Sequence, residues 1–263
     1  MPELPEADAN RRRIAEQCLN RTIEAVELGD DIEHVELPGD NERQRLVGRQ
    51  FTETHRHGKL IFAGSQTGPW ICVHLGMTGK LLPFDADERD APEYTKFLIR
   101  FEGERRLAWR CPRKLGWVRV VNSPDEEIER IGFGPDALEI SEGDFAEVIG
   151  GTNGSIKGAL MSQQKLAGIG NLWSDEILFQ TGVHPETTAS ELSEDTLSTM
   201  FDKMRKVLTG VCDVNAHYSE LPRTWLIADR KDGADCPRCD GTIKKTKVSG
   251  RSAYWCDSHQ ASD

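Results

Sequence analysis

The chain has 263 residues, 37% hydrophobic and 29% charged, enough apolar material for a sizeable core and too much chain for a single minimal module. No apolar run approaches the ~20 residues of a membrane-spanning helix, and the charged start PELPEADANRRR has no signal-peptide core, so a cytoplasmic protein is expected. A formal net charge of −11 argues against a polyanionic partner unless the basic residues are concentrated locally.

The first element is Met1 to Glu6, MPELPE. Removal of the initiator methionine, usual before proline, makes Pro2 the N-terminus and its ring nitrogen a free secondary amine. An α-amine titrates near ~8 against ~10.4 for lysine, so a useful fraction is nucleophilic at neutral pH. Glu3 lies beside it and Glu6 one helical turn on, where carboxylates can donate and accept protons. The same residues also read as ordinary helix initiation, with Pro5 in the first turn and Glu6 suiting the helix dipole. Six residues alone do not separate these readings. A short helix follows from Glu6 to Leu19, with a modest apolar face at Ala9, Ile14 and Ala15 and a basic one at Arg11, Arg12 and Arg13.

From Thr22 to Val121 the pattern changes to short β-type runs, TIEAVEL, LIFAG, WICVHL, KFLIRF, RLAWR and GWVRVV, separated by glycine- or acid-rich turns. Many short strands without long intervening helices imply an antiparallel sandwich or barrel. Asp85 to Glu93 reads as an exposed acidic loop, and the acidic, turn-rich stretch Ser123 to Asp144 as a bridge to a second unit. That unit is helical. Two apolar helical patterns are broken at Gly168 to Asn171, and another follows Ser193, a natural N-cap before two acids. The Gly-Ile-Gly-Asn turn puts backbone amides and a small polar side chain at a helix start, a favourable place for a phosphate or simply a tight connection.

The seven cysteines are odd in number, and Cys18, Cys72, Cys111 and Cys212 are widely scattered, which suits buried free thiols. Cys236 and Cys239 form a C-x-x-C knuckle, and Cys256 and His259 a C-x-x-H pair, around a hairpin pattern turning at Ser249 and Gly250. Three thiolates and an imidazole surround tetrahedral Zn2+ with no vacant position, so one structural zinc is predicted. So small a lobe needs such a staple. Lys244, Lys245, Lys247 and Arg251 crowd the same hairpin, whereas most of the acid lies elsewhere. A negative chain can therefore still present a local basic surface, with salt-sensitive binding to a polyanion.

MPELPE, HGKLIF around Lys59, HLGMTG around Met77, FGPDAL at Phe133 to Leu138, AGIGNLWSDE at Ala167 to Glu176 and a finger containing GRSAYWC together resemble formamidopyrimidine-DNA glycosylase of the bacterial base-excision repair family that also contains endonuclease VIII. The matches run in the family's order over nearly the whole chain. The resemblance implies an α+β multidomain protein: an N-terminal catalytic β-sandwich with a leading helix over 1–122, a helix-two-turn-helix DNA-binding domain over 123–221 and a zinc-finger lobe over 222–263. It also implies a monomer acting on double-stranded DNA with damaged bases or abasic sites, in the cytoplasm or at the nucleoid of a bacterium.

Carried over by motif, Pro2 attacks C1′ of an extruded nucleotide, Glu3 protonates the opening sugar ring, Glu6 positions the site or relays protons, and Lys59 sits near the lesion or its phosphate. Lys157, Asn171 and Arg251 grip phosphates. Met77 fills the stack, with Arg113 facing the orphaned base. Each has a plainer reading as a surface charge, a core methionine or a helix cap. Three departures stand out. His259 takes the place of a fourth cysteine. CPRKLGW has Cys111 for aspartate and Leu115 for an aromatic wedge. The segment VCDVNAHYSELPRTWLIADRKDG lacks the longer glycine-rich loop of the oxoguanine enzymes. The expected activity is a bifunctional glycosylase and AP lyase for 8-oxidised or ring-opened purines. An endonuclease VIII-like preference for oxidised pyrimidines and a catalytically inactive damaged-DNA-binding protein are the alternatives.

Overall fold

The computed structural model describes residues 1–87 and 90–260, which fall into two compact units, Met1–Gly132 and Phe133–Asp263. Two residues of the expected acidic loop, Glu88 and Arg89, lie outside the described residues.

The first unit opens with α1 (Leu4–Gln17) and continues through β1 (Ile23–Leu28), a short α2 (Asp40–Gln44) and β2 (Glu53–His57), β3 (Leu60–Gly64), β4 (Trp70–His74), β5 (Lys80–Asp85), β6 (Thr95–Phe101), β7 (Arg105–Arg110) and β8 (Trp117–Val121). The strands form two four-stranded antiparallel sheets, ordered β2-β3-β4-β8 and β1-β6-β7-β5. Their alternating apolar residues, among them Ile61, Val73, Val118, Ile99, Leu107 and Trp109, make one core between the sheets, the packing of a β-sandwich. Two strands escape the apolar pattern, and both are edges. β2 reads ETHRH. In β5, Pro83 supplies no amide, which a sheet edge tolerates.

α1 lies against β2, β3 and β5. It buries Leu4, Ala7, Ala9 and Ile14, and the small alanines let the helix approach closely. Two polar ties fix it: the Leu81 amide donates to Asn10 Oδ1 at 2.8 Å, and Arg11 Nη1 donates to Thr54 Oγ1 at 3.1 Å. The helix begins two residues earlier than the apolar pattern suggests, because Pro5 and the Glu6 carboxylate initiate it. The stretch read as a turn-rich bridge contains a helix, α3 (Pro124–Ile131), capped by Ser123 Oγ and ended by left-handed Gly132. Its Glu127 is held by Arg119 and Arg130.

The second unit holds α4 (Glu142–Gly150), α5 (Ile156–Met161), α6 (Asn171–Thr181), α7 (Glu194–Asp213) and the hairpin β9 (Ile243–Val248) and β10 (Arg251–Cys256). Serines 141, 155 and 193 cap α4, α5 and α7 by accepting backbone amides, worth typically ~1 kcal/mol each. The Asp136 carboxylate accepts the Leu138 amide, and the Ala137 and Ala167 segments bridge in parallel, so FGPDAL braces the turn that leads into α6.

Candidate active site, nucleic-acid contacts and metal centre

In the first unit, Pro2 is half-buried and Glu3 is 1% exposed at the N-cap of α1. The Glu3 amide donates to Glu6 Oε2 at 2.7 Å, so Glu6 fixes the backbone on which Pro2 and Glu3 sit. Because α1 is tied to both sheets, this start is a rigid platform. Lys59 occupies the two-residue turn between His57 and Leu60, the terminal pair of β2 and β3. Gly58 has φ +55°, which the tight turn requires, and buried Arg56 donates to its carbonyl at 3.1 Å. His74, at the end of the neighbouring β4, stacks on Trp117, and burial, then the charges of Lys59 and Arg119, push its pKa down to about 4. It is a neutral imidazole at physiological pH.

Met77 is 37% exposed on the turn after β4, and Leu115 is 53% exposed on the turn before β8. The two turns touch: a Cβ on Gly76, whose φ is +63°, would come within 2.5 Å of the Leu115 carbonyl carbon and the Gly116 nitrogen. Two large apolar side chains and the exposed Arg113 thus project from one double turn. A core role for Met77 is excluded by its exposure.

In the second unit, Gln163 orders the Gly-Ile-Gly-Asn turn. Its Nε2 donates to the carbonyls of Met161 and Ile169, and its Oε1 accepts the Gly168 amide. Asn171 therefore opens α6 in a fixed orientation, with its Oδ1 buried and lacking a protein partner. As an acceptor that atom calls for a donor such as water, whereas a phosphate oxygen would accept from the Asn171 Nδ2. Arg251 is exposed at the start of β10, just past the turn of left-handed Ser249 and Gly250. Ser249 Oγ lies 3.0 Å from Ser155 Oγ, which docks that turn on the N-cap of α5.

Lys157 departs from expectation. It is fully buried, and its ammonium donates to the Asn171 carbonyl at 3.2 Å, to Ser174 Oγ at 3.0 Å and to Asp175. The carboxylate draws the charge inward, so the side chain organises the Asn171 turn and does not itself reach a phosphate.

Cys236, Cys239, Cys256 and His259 place their four ligand atoms within 4.8 Å of one another. The Cys239–Cys256 sulfurs are 3.5 Å apart, and His259 Nδ1 is 3.5 and 3.7 Å from the Cys239 and Cys236 sulfurs. A tetrahedron with zinc–ligand bonds of ~2.0–2.3 Å has edges near ~3.5–3.8 Å, so the cage fits the ion. The amides of Arg238, Gly241 and Ser258 point at the three sulfurs at 3.4–3.5 Å, which stabilises thiolates. Hydrogen bonding to His259, then to Gly241, lowers the Cys239 thiol to about 6. His259 Nε2 meets the Phe179 carbonyl at 3.3 Å, an outer contact that selects Nδ1 as the metal-facing nitrogen. These residues hold one structural zinc. It staples a hairpin whose Lys244, Lys245, Lys247 and Arg251 are all exposed.

Asp175 and Glu176, the end of the AGIGNLWSDE motif, take on roles that the motif does not reveal, and Arg230, outside every motif, joins them. Asp175 accepts Arg230 Nε and Nη2 at 2.9 and 2.6 Å, and Glu176 accepts the Ile227 amide at 3.0 Å. The segment between α7 and the finger is thus pinned to α6. Nothing in its composition signals the pairing, since Arg230 lies 55 residues from Asp175.

Three family models match in order: the formamidopyrimidine-DNA glycosylase N-terminal domain over residues 1–118, the H2TH domain of the same enzymes over 131–221, and a zinc finger found in FPG and IleRS over 235–258. A formamidopyrimidine-DNA glycosylase from Roseiflexus sp. is 31% identical over 271 residues, covering 97% of this chain and 98% of the relative. Two crystal structures share the fold over 99% of this chain and 100% of theirs. Lactococcus lactis formamidopyrimidine-DNA glycosylase bound non-covalently to AP-site DNA superposes with a TM-score of 0.86 at 23% identity. A point mutant of the Lactococcus lactis enzyme with Fapy-dG DNA gives 0.85 at 25%. With a sandwich that starts on MPELPE, an H2TH unit and a Cys3His finger, the chain belongs to the formamidopyrimidine-DNA glycosylase family of DNA-repair proteins.

Proposed function

We propose that this protein is a bifunctional DNA glycosylase and AP lyase that removes oxidised purines through an imine on Pro2. The observation that carries the reading is the start of α1: Pro2 on a rigid platform, followed by buried Glu3 and by Glu6 gripping the Glu3 amide. Once Met1 is removed, the Pro2 nitrogen is a secondary amine whose adduct with C1′ is an iminium, cationic without a further proton. The base leaves with its bonding electrons, and the Glu3 carboxyl gives its proton to the sugar ring oxygen as the ring opens. The carboxylate that Glu3 has become then takes the C2′ proton, the electrons of that C–H bond flow into the iminium, and the 3′ and then the 5′ phosphate leave with their bonding electrons.

Binding follows the same division. The sandwich, over 1–122, carries the amine, with Lys59 near the reacting nucleotide and Met77 and Leu115 filling the space that the extruded base leaves, beside Arg113. The helical domain over 123–221 and the finger over 222–263 hold phosphates through Asn171 and Arg251, which fixes register without reading sequence. Lys157 supports Asn171 from beneath. The relatives' name, and the Fapy-dG duplex in the Lactococcus lactis complex, favour purine lesions. One observation favours oxidised pyrimidines: the segment after α7 consists of two single helical turns, Tyr218–Glu220 and Leu226–Ala228, pinned to α6, with no long glycine-rich loop to cover a purine.

Duplexes carrying 8-oxoguanine, formamidopyrimidine or thymine glycol separate the two. Purine preference predicts single-turnover excision of the first two at least tenfold faster than thymine glycol. The reverse order would assign the pyrimidine specificity.

A further inference from the structure

Three charged side chains of the second unit, Lys157, Asp175 and Arg230, meet beside the Asn171 peptide group. Asp175 is wholly buried and takes two cations, Lys157 on Oδ1 and Arg230 on Oδ2. Both cations also reach the Asn171 carbonyl, Lys157 Nζ at 3.2 Å and Arg230 Nη2 at 3.3 Å. The Arg230 guanidinium carbon lies over the Tyr254 ring of β10, 4.4 Å from its centroid, and the side chain is only 19% exposed. Its planar fork therefore joins the zinc-stapled hairpin, the strap after α7 and the first residue of α6. Lysine cannot make this two-pronged contact. Arg230 directs its Nε and Nη2 at Asp175 and Asn171, inside the protein.

We infer that Arg230 is a positioning residue for DNA binding, which sets the Asn171 side chain against a backbone phosphate by clamping the Asn171 carbonyl and Asp175. The inference rests on the phosphate role proposed for Asn171. The clamp fixes the peptide from which that side chain springs, and with it the direction in which the side-chain Nδ2 can donate to a phosphate oxygen. Lys157 alone neutralises Asp175 when Arg230 is absent, so R230Q leaves no unpaired buried charge and the unit keeps its fold. What is lost is the orientation of Asn171.

The test is a double-mutant cycle on the full-length, zinc-loaded protein, with affinity for a duplex containing a tetrahydrofuran abasic analogue measured across a salt series. R230Q and N171A should each weaken binding about tenfold, and the double variant should be no more than about twofold worse than N171A, because the two residues act through one contact. The slope of log affinity against log salt should be that of the parent in R230Q. Parent-like binding by R230Q, losses that multiply in the double variant, or a slope reduced by about one, the sign of a direct phosphate contact, would each overturn the inference. Should R230Q fail to fold, R230K should show a smaller loss that likewise disappears in the N171A background, and parent-like binding by R230K is contradictory. N171A without any loss overturns the phosphate role of Asn171 and this inference with it. A loss in N171A alone overturns only the role of Arg230.

Discussion

The three cysteines and His259 converge on one tetrahedral cage, while Pro2 and buried Glu3 share the start of α1, where their proposed chemistry is indistinguishable by composition from helix initiation. Glu6 reads as a proton relay or a helix starter, and its carboxylate on the Glu3 amide makes it the part that sets the geometry. Lys157 shows the limit of transferring a role by motif, because its neighbour Asp175 decides where the ammonium points. Met77 is the converse: strand residues flank it, yet the Gly76 turn delivers it to solvent beside Leu115. Extruding a base costs a few kcal/mol, and an apolar filler offsets part of that. Met77→Ala should slow excision from a lesion duplex about tenfold while altering elimination at a preformed abasic site little, since no base must be displaced there. Single-turnover rates on the two substrates check it; equal loss on both would refute the wedge role.

Elements were legible where apolar alternation was strong. β2, reading ETHRH, carries almost no apolar residues and β5, reading KLLPFD, is interrupted by Pro83, while α3 hides in an acidic run that its Arg119 and Arg130 contacts neutralise. The strap after α7 gave no signal at all, its hold depending on Asp175 and Glu176 of α6. Burial pushes the Glu176 carboxyl up to about 7, against opposing hydrogen bonds from Gln180 and the strap backbone. A carboxyl raised in the folded state favours the protonated fold. The stability it contributes is full below the unfolded value of ~4.3 and is lost as pH rises through about 7, by at most ~4 kcal/mol. The α6 amides should therefore exchange faster at pH 8 than at pH 5 after correction for intrinsic rates, and Glu176→Gln should flatten that dependence. An unchanged pH dependence in the variant would assign it to another group. His74 has the opposite sign, its contribution being present above ~6.5 and lost as pH falls toward about 4, but it belongs to the sandwich.

For the whole molecule, the net charge of −11 proved a poor guide. Family membership implies a nucleic-acid partner, and the objection dissolves once exposed cations are found gathered on the finger hairpin. In the proposed reading each unit supplies a different share of the work: a nucleophile and a base-stack filler in the first, phosphate contacts and a zinc staple in the second. The central claim is that the Pro2 nitrogen is the nucleophile, and reductive trapping tests it most directly. Protein freed of Met1 is incubated with an abasic-site duplex and borohydride, and the covalent product is mapped by peptide mass spectrometry. The account predicts a one-to-one adduct on the Pro2 nitrogen, weaker trapping by Pro2→Gly, and none when the N-terminus is blocked by a retained tag. An adduct on a lysine such as Lys59, or full trapping by the blocked protein, would contradict it.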